Sequence, residues 1–314
     1  TIFLLYLIVR RVYDRRTALL AAAFSALTVM QIQQSHFFTV DNFVNFFMFL
    51  GLYLAVAIAF NRRARLTVPP QENVLDEAGE VIGTRREFPA MLAWVCRDRL
   101  LWLSVAFGLA LGMAVASKIN AAVLAGLLPV ALWIYWTRQD RKERPPLESQ
   151  VWKIVIFLLA GALASLIAFR IFQPYAFTGP GFFGVKPLAG WIDGIRQQRA
   201  QAGGLSDVPW ALQWARRTHL YSFTNLTLYG LGLPLGILAW LGVLWMLWRI
   251  IKGEWRQHLL LWGWTAAYFA WQSMQFNPTM RYQLPVYPLL GMMAAWACWR
   301  FVSLWRGAAA HGGW

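Results

Sequence analysis

Residues 35–60 read SHFFTVDNFVNFFMFLGLYLAVAIAF. From Asn42 to Phe60 the stretch carries no charge, and its length is close to the ~20 apolar residues an α-helix needs to cross a bilayer. Immediately before it stand Asp41 and His36, a carboxylate and an imidazole at a membrane boundary. An ionisable group is costly there unless it is paired, hydrated or used. One stretch therefore predicts both a spanning helix and a polar site at its mouth.

The rest of the chain extends the pattern. Hydrophobic residues make up 59% of the sequence and charged ones 14%, against about 25% charged in ordinary globular domains. Aromatic residues reach 16%, with 19 Trp, a residue suited to the membrane–water interface. Apolar runs between charges give nine candidate spans, at 1–9 (partial), 17–34, 42–60, 100–117, 120–136, 152–170, 229–249, 258–273 and 285–303. The expected fold is an all-α polytopic helical membrane protein, a single domain over 1–314 with about nine transmembrane helices and further helices lying on the external membrane surface. Because 1–9 is only half a span, an N-terminal piece is expected to be missing.

The net charge of +15 could suggest nucleic-acid binding, but the Lys and Arg sit in short clusters between apolar runs. Arg10, Arg11, Arg15 and Arg16, then Arg62, Arg63 and Arg65, then Arg138, Arg141, Lys142 and Arg144, then Arg249, Lys252 and Arg256, and finally Arg300 and Arg306 all fall on one side if nine spans alternate. That side reads as the cytoplasm by the positive-inside rule, and no nucleic-acid partner is expected. A cytoplasmic insert at 66–99 reads as a β-hairpin around Val74–Ile82 followed by an interfacial amphipathic helix. Cys96 and Cys298 are far apart, and neither a disulfide nor a zinc site is expected.

On the opposite, external side remain 35–41, the turn at Lys118, 171–228 and 274–284. The long segment 171–228 is too apolar for a free loop and too interrupted to span, and it reads as surface helices roofing a cavity. External carboxylates are few, namely Asp41, Asp193 and Asp207. Cations and polar groups are many, among them His36, Lys118, Lys186, Arg196, Arg199, Arg216, Arg217, His219, Asn277 and Arg281. Few acids among many cations suit an anionic ligand such as a phosphate or pyrophosphate headgroup.

Each candidate has a bland reading beside the chemical one. Asp41 either caps its helix or orients and deprotonates an acceptor hydroxyl. His36 either anchors at the interface or joins Asp41. Lys118 either snorkels to headgroups or contacts a lipid phosphate. In Asn277-Pro278-Thr279-Met280-Arg281-Tyr282-Gln283-Leu284-Pro285, two prolines pin an extended segment whose Arg281 and Tyr282 suit a phosphate oxygen and its ester. Asn225-Leu226-Thr227 matches a glycosylation sequon, a weak three-residue pattern. No phosphate loop, dinucleotide fingerprint, His/Cys metal cluster or nucleophile elbow occurs in the sequence.

Four segments in order carry a resemblance. Arg10 to Ala23 looks like a basic loop and Ala-rich helix, and Gln33 to Asp41 like an external acid segment. Gly108 to Lys118 looks like a Gly-rich helix ending in Lys, and Arg281-Tyr282-Gln283-Leu284-Pro285 like an Arg-Tyr-x-x-Pro segment. Together they resemble the GT-C glycosyltransferases, most nearly the bacterial relatives of dolichyl-phosphate-mannose–protein mannosyltransferases and the aminoarabinose transferases.

The resemblance implies inverting transfer of a sugar from a polyprenyl-phosphate donor to an acceptor protein, lipid or glycan, at the external face of a multi-pass protein of the bacterial plasma membrane. It implies Asp41 as an auxiliary or acceptor-positioning acid, since the family's principal acid lies in a first external loop that would precede Thr1. It implies His36, Lys118, Asn277, Arg281 and Tyr282 as substrate contacts. Some members use a divalent metal; with one acid at the site, no metal and no other cofactor is expected. The competing reading is a lipid-linked-sugar flippase or another transporter. Such folds usually show repeat symmetry and polar sites at the membrane midplane, and the sequence shows neither.

Overall fold

The computed structural model describes residues 1–61, 72–75, 81–85, 88–139, 147–179, 181, 184–206 and 208–311. Helix α1 (Ile2–Val12) ends at the first arginine cluster, and Asp14 starts α2 (Arg15–Ala26) by accepting hydrogen bonds from the Arg16 and Thr17 amides. Arg11 reaches across to donate to the carbonyls of Ala57 and Phe60. A guanidinium there satisfies carbonyls left without partners at the end of a helix. That helix is α4 (Val40–Ala59), reached from α2 through the short α3 (Val29–Ser35).

Strand β1 (Glu72–Leu75) pairs antiparallel with β2 (Val81–Arg85), and α5 (Phe88–Cys96) follows. Asp98 then caps α6 (Arg99–Ser117) and pairs with the buried Lys153, 2.6 Å away. At the far end of α6 the backbone turns extended at Lys118 and re-enters as a 3₁₀ stretch, Ile119–Gly126, that continues into α7 (Leu127–Thr137). Helix α8 (Leu147–Phe172) lies against α6. The approach is close because both surfaces are small. A Cβ added at Gly108 would stand 2.0 Å from the Gly161 carbonyl oxygen, and one at Gly112 would stand 2.4 Å from that of Ser165. Small residues spaced by four let helix backbones meet where no hydrophobic effect drives them together. On its other side α8 exposes Leu159, Leu163 and Leu166, which calls for an apolar solvent.

After α8, β3 (Phe177–Thr178) pairs with β4 (Lys186–Pro187), and Arg170 ties the turn between them by donating to the carbonyls of Gly181 and Gly184. Helices α9 (Ala189–Ala202), α10 (Pro209–Leu212) and α11 (Leu220–Asn225) follow, and α9 has no buried residue. A π-helical turn at Leu226–Gly230 leads to α12 (Leu233–Arg249). Gly253, at φ 103°, reverses the chain into α13 (Trp255–Ser273). The reversal is plain from Trp262, whose indole donates to the Val243 carbonyl at 2.9 Å. In a straight helix those two residues would be nearly 30 Å apart, by the ~1.5 Å rise per residue. Last comes α14 (Tyr287–His311), whose Leu289 to Ala297 are buried almost throughout between α2 and α12. Thus α4, α6, α7 and α8 form one group and α2, α12 and α14 another, with α1 touching both and α13 meeting α7.

This is an all-α membrane protein, but the count of nine spans is corrected. Among the described residues, five helical stretches are long and apolar enough to cross: Val40–Ala59, Arg99–Ser117, Ile119–Thr137, Gln150–Phe172 and Leu233–Ser273. The sequence runs counted composition without breaks. Run 17–34 is interrupted at Leu27–Thr28, where the Thr28 hydroxyl caps back onto the Phe24 carbonyl, and 1–9 is one short helix. Runs 229–249 and 258–273 fall almost wholly within one of these stretches, Leu233–Ser273, whose two halves fold back on each other at Gly253.

Candidate active site

Asp41 lies in the first turn of α4, yet it caps nothing: the N-cap position belongs to Thr39, which makes no side-chain cap bond. Its carboxylate, 7% exposed, accepts a 2.7 Å hydrogen bond from the Lys118 ammonium. Lys118 is delivered there by the extended break between α6 and the 3₁₀ stretch. A Lys can cross that gap because the chain leaves the helix and its long stem spans the remainder.

The same ammonium sits 4.0 Å from the centre of the Tyr282 ring, and the Arg281 guanidinium lies 5.4 Å from that ring. Two cations therefore share one aromatic face-bearing residue, an attraction strengthened where water is scarce. The turn carrying Arg281 and Tyr282, Met280–Gln283, is held by Gln283, which donates to the Phe269 carbonyl and the Ser273 hydroxyl, both at 3.2 Å. Asp41, Lys118, Arg281 and Tyr282 line one cleft, joined by Asn120 and Tyr268. The space between them is about the size of a water molecule. Two cations against one carboxylate leave the cleft with a net positive charge, and Arg281 is exposed with no ion-pair partner among the described residues.

Beside the cleft lies an apolar groove of about 430 Å³ between α7 and α13. Its walls include Val123, Leu127, Val130, Trp133 and Trp271, and Tyr268 belongs to both spaces.

The other sequence candidates are elsewhere. His36 is exposed and lines neither space, and Asn277 also stands apart, half-buried with an unpartnered Oδ1. Asp193 pairs with Arg196 on the exposed surface of α9, Arg217 lies over Tyr221, and Asp207 lies outside the described residues. The Asn225 sequon is folded into helix, with Thr227 bonded to the Phe223 carbonyl and to the Trp240 indole. Among the described residues, no three of His, Cys, Asp or Glu gather into a metal-sized group. Sequence reasoning missed Asn120 and Tyr268. Asn120 had a faint signal, being in the turn that carries Lys118, whereas Tyr268 had none, since it lies inside an apolar helical run.

No protein-family model and no characterised sequence matches the chain. Among solved structures it is similar to ArnT from Cupriavidus metallidurans bound to undecaprenyl phosphate, with a TM-score of 0.52 and 19% identity over 95% of this chain and 44% of that one. It is also similar to the apo oligosaccharyltransferase of Archaeoglobus fulgidus, with a TM-score of 0.47 and 16% identity over 99% of this chain and 40% of that one. The chain thus spans less than half the length of the solved proteins it matches. At this identity the likeness is one of fold, shared with ArnT.

Proposed function

We propose that this chain is the membrane part of an inverting glycosyltransferase that moves a sugar from a polyprenyl-phosphate donor to an acceptor protein, lipid or glycan at the external face of a bacterial plasma membrane. The observation that carries the reading is the cleft itself. Asp41, Lys118, Arg281 and Tyr282, spread from residue 41 to residue 282, line one positively charged space beside an apolar groove. A charged cleft next to an apolar groove suits a ligand with an anionic head and a hydrocarbon tail. ArnT, which shares the fold, was solved with undecaprenyl phosphate bound, and this supports the donor class.

In such a transfer the anomeric carbon passes through an oxocarbenium-like state while negative charge grows on the departing phosphate. Lys118, beside the buried Asp41, and Arg281, at the exposed side of the cleft, take up that charge in this reading. The carboxylate of Asp41 orients the acceptor hydroxyl or amine and assists its deprotonation. Without ligand, Lys118 is spent on Asp41; a bound phosphate competes for the ammonium and frees the carboxylate for the acceptor. The two cations, rather than a bound ion, answer the charge in this reading.

The test is sugar transfer from radiolabelled polyprenyl-phosphate sugars in membranes containing the full-length protein, wild type beside Asp41→Asn. Transfer that collapses in the variant at equal expression supports the reading. Transfer that persists removes Asp41 from the reaction. Absence of transfer from every donor, with lipid-linked sugar moving between leaflets instead, replaces the enzyme with a flippase.

A further inference from the structure

Tyr268 is the residue shared by the charged cleft and the apolar groove. Its ring is held on two sides, with Trp264 at 5.2 Å and Trp271 edge-on at 5.6 Å between ring centres. Its hydroxyl meets the Gln272 amide at 3.5 Å, and the side chain as a whole is 7% exposed. A side chain so fixed is a wall and does not act as a gate. On one side of it are Lys118 and Arg281, and on the other the groove lining carries no charged side chain.

The groove residues on α13 run from Leu259 to Trp271. At a rise of ~1.5 Å per residue that is roughly 18 Å of helix, enough for the first few isoprene units of a lipid but not for a long chain. Its floor is open at Gly263, where an added Cβ would meet only Leu259 Cδ1, at an ordinary 3.7 Å.

We propose that Tyr268 is a positioning residue that separates a headgroup subsite from a tail subsite and fixes how deep a polyprenyl-phosphate lipid lies, with the groove over Gly263 holding only the headgroup-proximal isoprenes. The proposal rests on the functional reading above and adds to it which part of the lipid is recognised and by what. The ring surface of Tyr268 is the working part, and its hydroxyl has no step in the reaction. A larger side chain at Gly263 fills the tail subsite without disturbing the cleft.

Binding to the purified full-length protein tests this without requiring turnover. Dimethylallyl phosphate supplies a head with one isoprene, and undecaprenyl phosphate a head with a long tail. Groove-lining Trp264 and Trp271 provide a fluorescence signal. Gly263→Leu is expected to weaken undecaprenyl phosphate about tenfold or more while leaving dimethylallyl phosphate within about twofold, tenfold being ~1.4 kcal/mol. Tyr268→Ala, which removes the wall both subsites share, is expected to weaken both lipids. Tyr268→Phe is expected to behave as wild type with both. Should Gly263→Leu bind undecaprenyl phosphate normally, or weaken both ligands alike, the tail subsite is not there. Equal losses in Tyr268→Phe and Tyr268→Ala would mean the hydroxyl, and not the ring, is what counts, and would overturn the positioning role. If wild type binds neither lipid, the inference and the functional reading fall together; if it binds both and only the length dependence is missing, the inference falls alone.

Discussion

Lys118 and Asp41, 77 residues apart in the chain, meet at 2.7 Å where α4 begins and α6 ends. The pair is only partly screened, since Asp41 is 7% and Lys118 24% exposed. Removing one partner leaves the other charged and unmatched, whereas removing both leaves two neutral groups. In unfolding measurements in detergent, Asp41→Asn and Lys118→Met are each expected to cost ~1–3 kcal/mol, with the double variant costing less than the sum. Additive losses would mean that the contact contributes nothing.

Tyr282 lies within cation–π distance of both Lys118 and Arg281, at 4.0 and 5.4 Å. The ring, not the phenol hydroxyl, makes those contacts. Tyr282→Phe is expected to bind polyprenyl phosphate within about twofold of wild type, and Tyr282→Leu to lose ~1–2 kcal/mol, a range known for partly desolvated cation–π pairs. Titration of the two variants with the lipid phosphate checks it, and a Phe variant as weak as Leu would assign the effect to the hydroxyl.

The sequence reading expected Asp41, Lys118, Arg281 and Tyr282 on one side of the membrane, from the charge between apolar runs, and the structure brings these four into one cleft. The sequence could not rank the residues of that side by distance. His36 stands five positions from Asp41 and still lies outside the cleft, since the turn after α3 projects it outward, while Tyr268 reaches the cleft from a helix 227 positions away. Tyr268 reads as one more apolar residue of a span, and only the packing of α13 against α7 reveals its place. The helix break at Thr28 was equally hidden, since it interrupts a run, 17–34, whose composition is apolar on either side. By contrast, Arg249, Lys252 and Arg256 marked the reversal at Gly253 between runs 229–249 and 258–273.

The glycines of α6 were legible as a motif but not as a cause. In the structure Gly108 and Gly112 let α6 rest against the backbone of α8, with a Cβ at either position closer than 2.5 Å to a carbonyl oxygen. Neither backbone can yield without moving a whole helix. Gly108→Val and Gly112→Val are therefore expected to lower stability by ~2–3 kcal/mol or to abolish folding in the membrane, as overpacking does. Gly126→Ala, with nothing within 4 Å of the added Cβ, is expected to be neutral. Expression and detergent melting of the three variants separate close packing from a general intolerance of glycine replacement.

At Gly253 the limit is the backbone itself. Its φ of 103° is a conformation that L-residues with a side chain rarely adopt, although nothing lies within 4 Å of an added Cβ. Gly253→Ala is expected to cost ~1–2 kcal/mol through strain alone. Because the strain is local to the α12–α13 reversal, the loss should appear in unfolding midpoints with lipid-phosphate binding unchanged. A neutral Gly253→Ala would show that the reversal relaxes to another turn.

At the opposite end of α6 from Lys118, the Lys153 ammonium is 2% exposed, 2.6 Å from Asp98 and 3.9 Å from the centre of the Trp94 ring. Asp98 is engaged twice, since it also accepts from the Leu100 amide to cap α6. Lys153 thereby links α8 to both α5 and the start of α6. Lys153→Ala is expected to cost ~3–5 kcal/mol, because it strands a buried carboxylate and empties the space against Trp94. Lys153→Met keeps the stem and the aromatic contact but not the charge, so it should fall between Ala and wild type. Combining Lys153→Met with Asp98→Asn removes the stranded charge while the amide side chain can still accept from Leu100, and it should recover part of the loss. Unfolding free energies of the four proteins decide the matter: if the double variant is no better than Lys153→Met alone, the cost lies in lost packing and not in the uncompensated carboxylate.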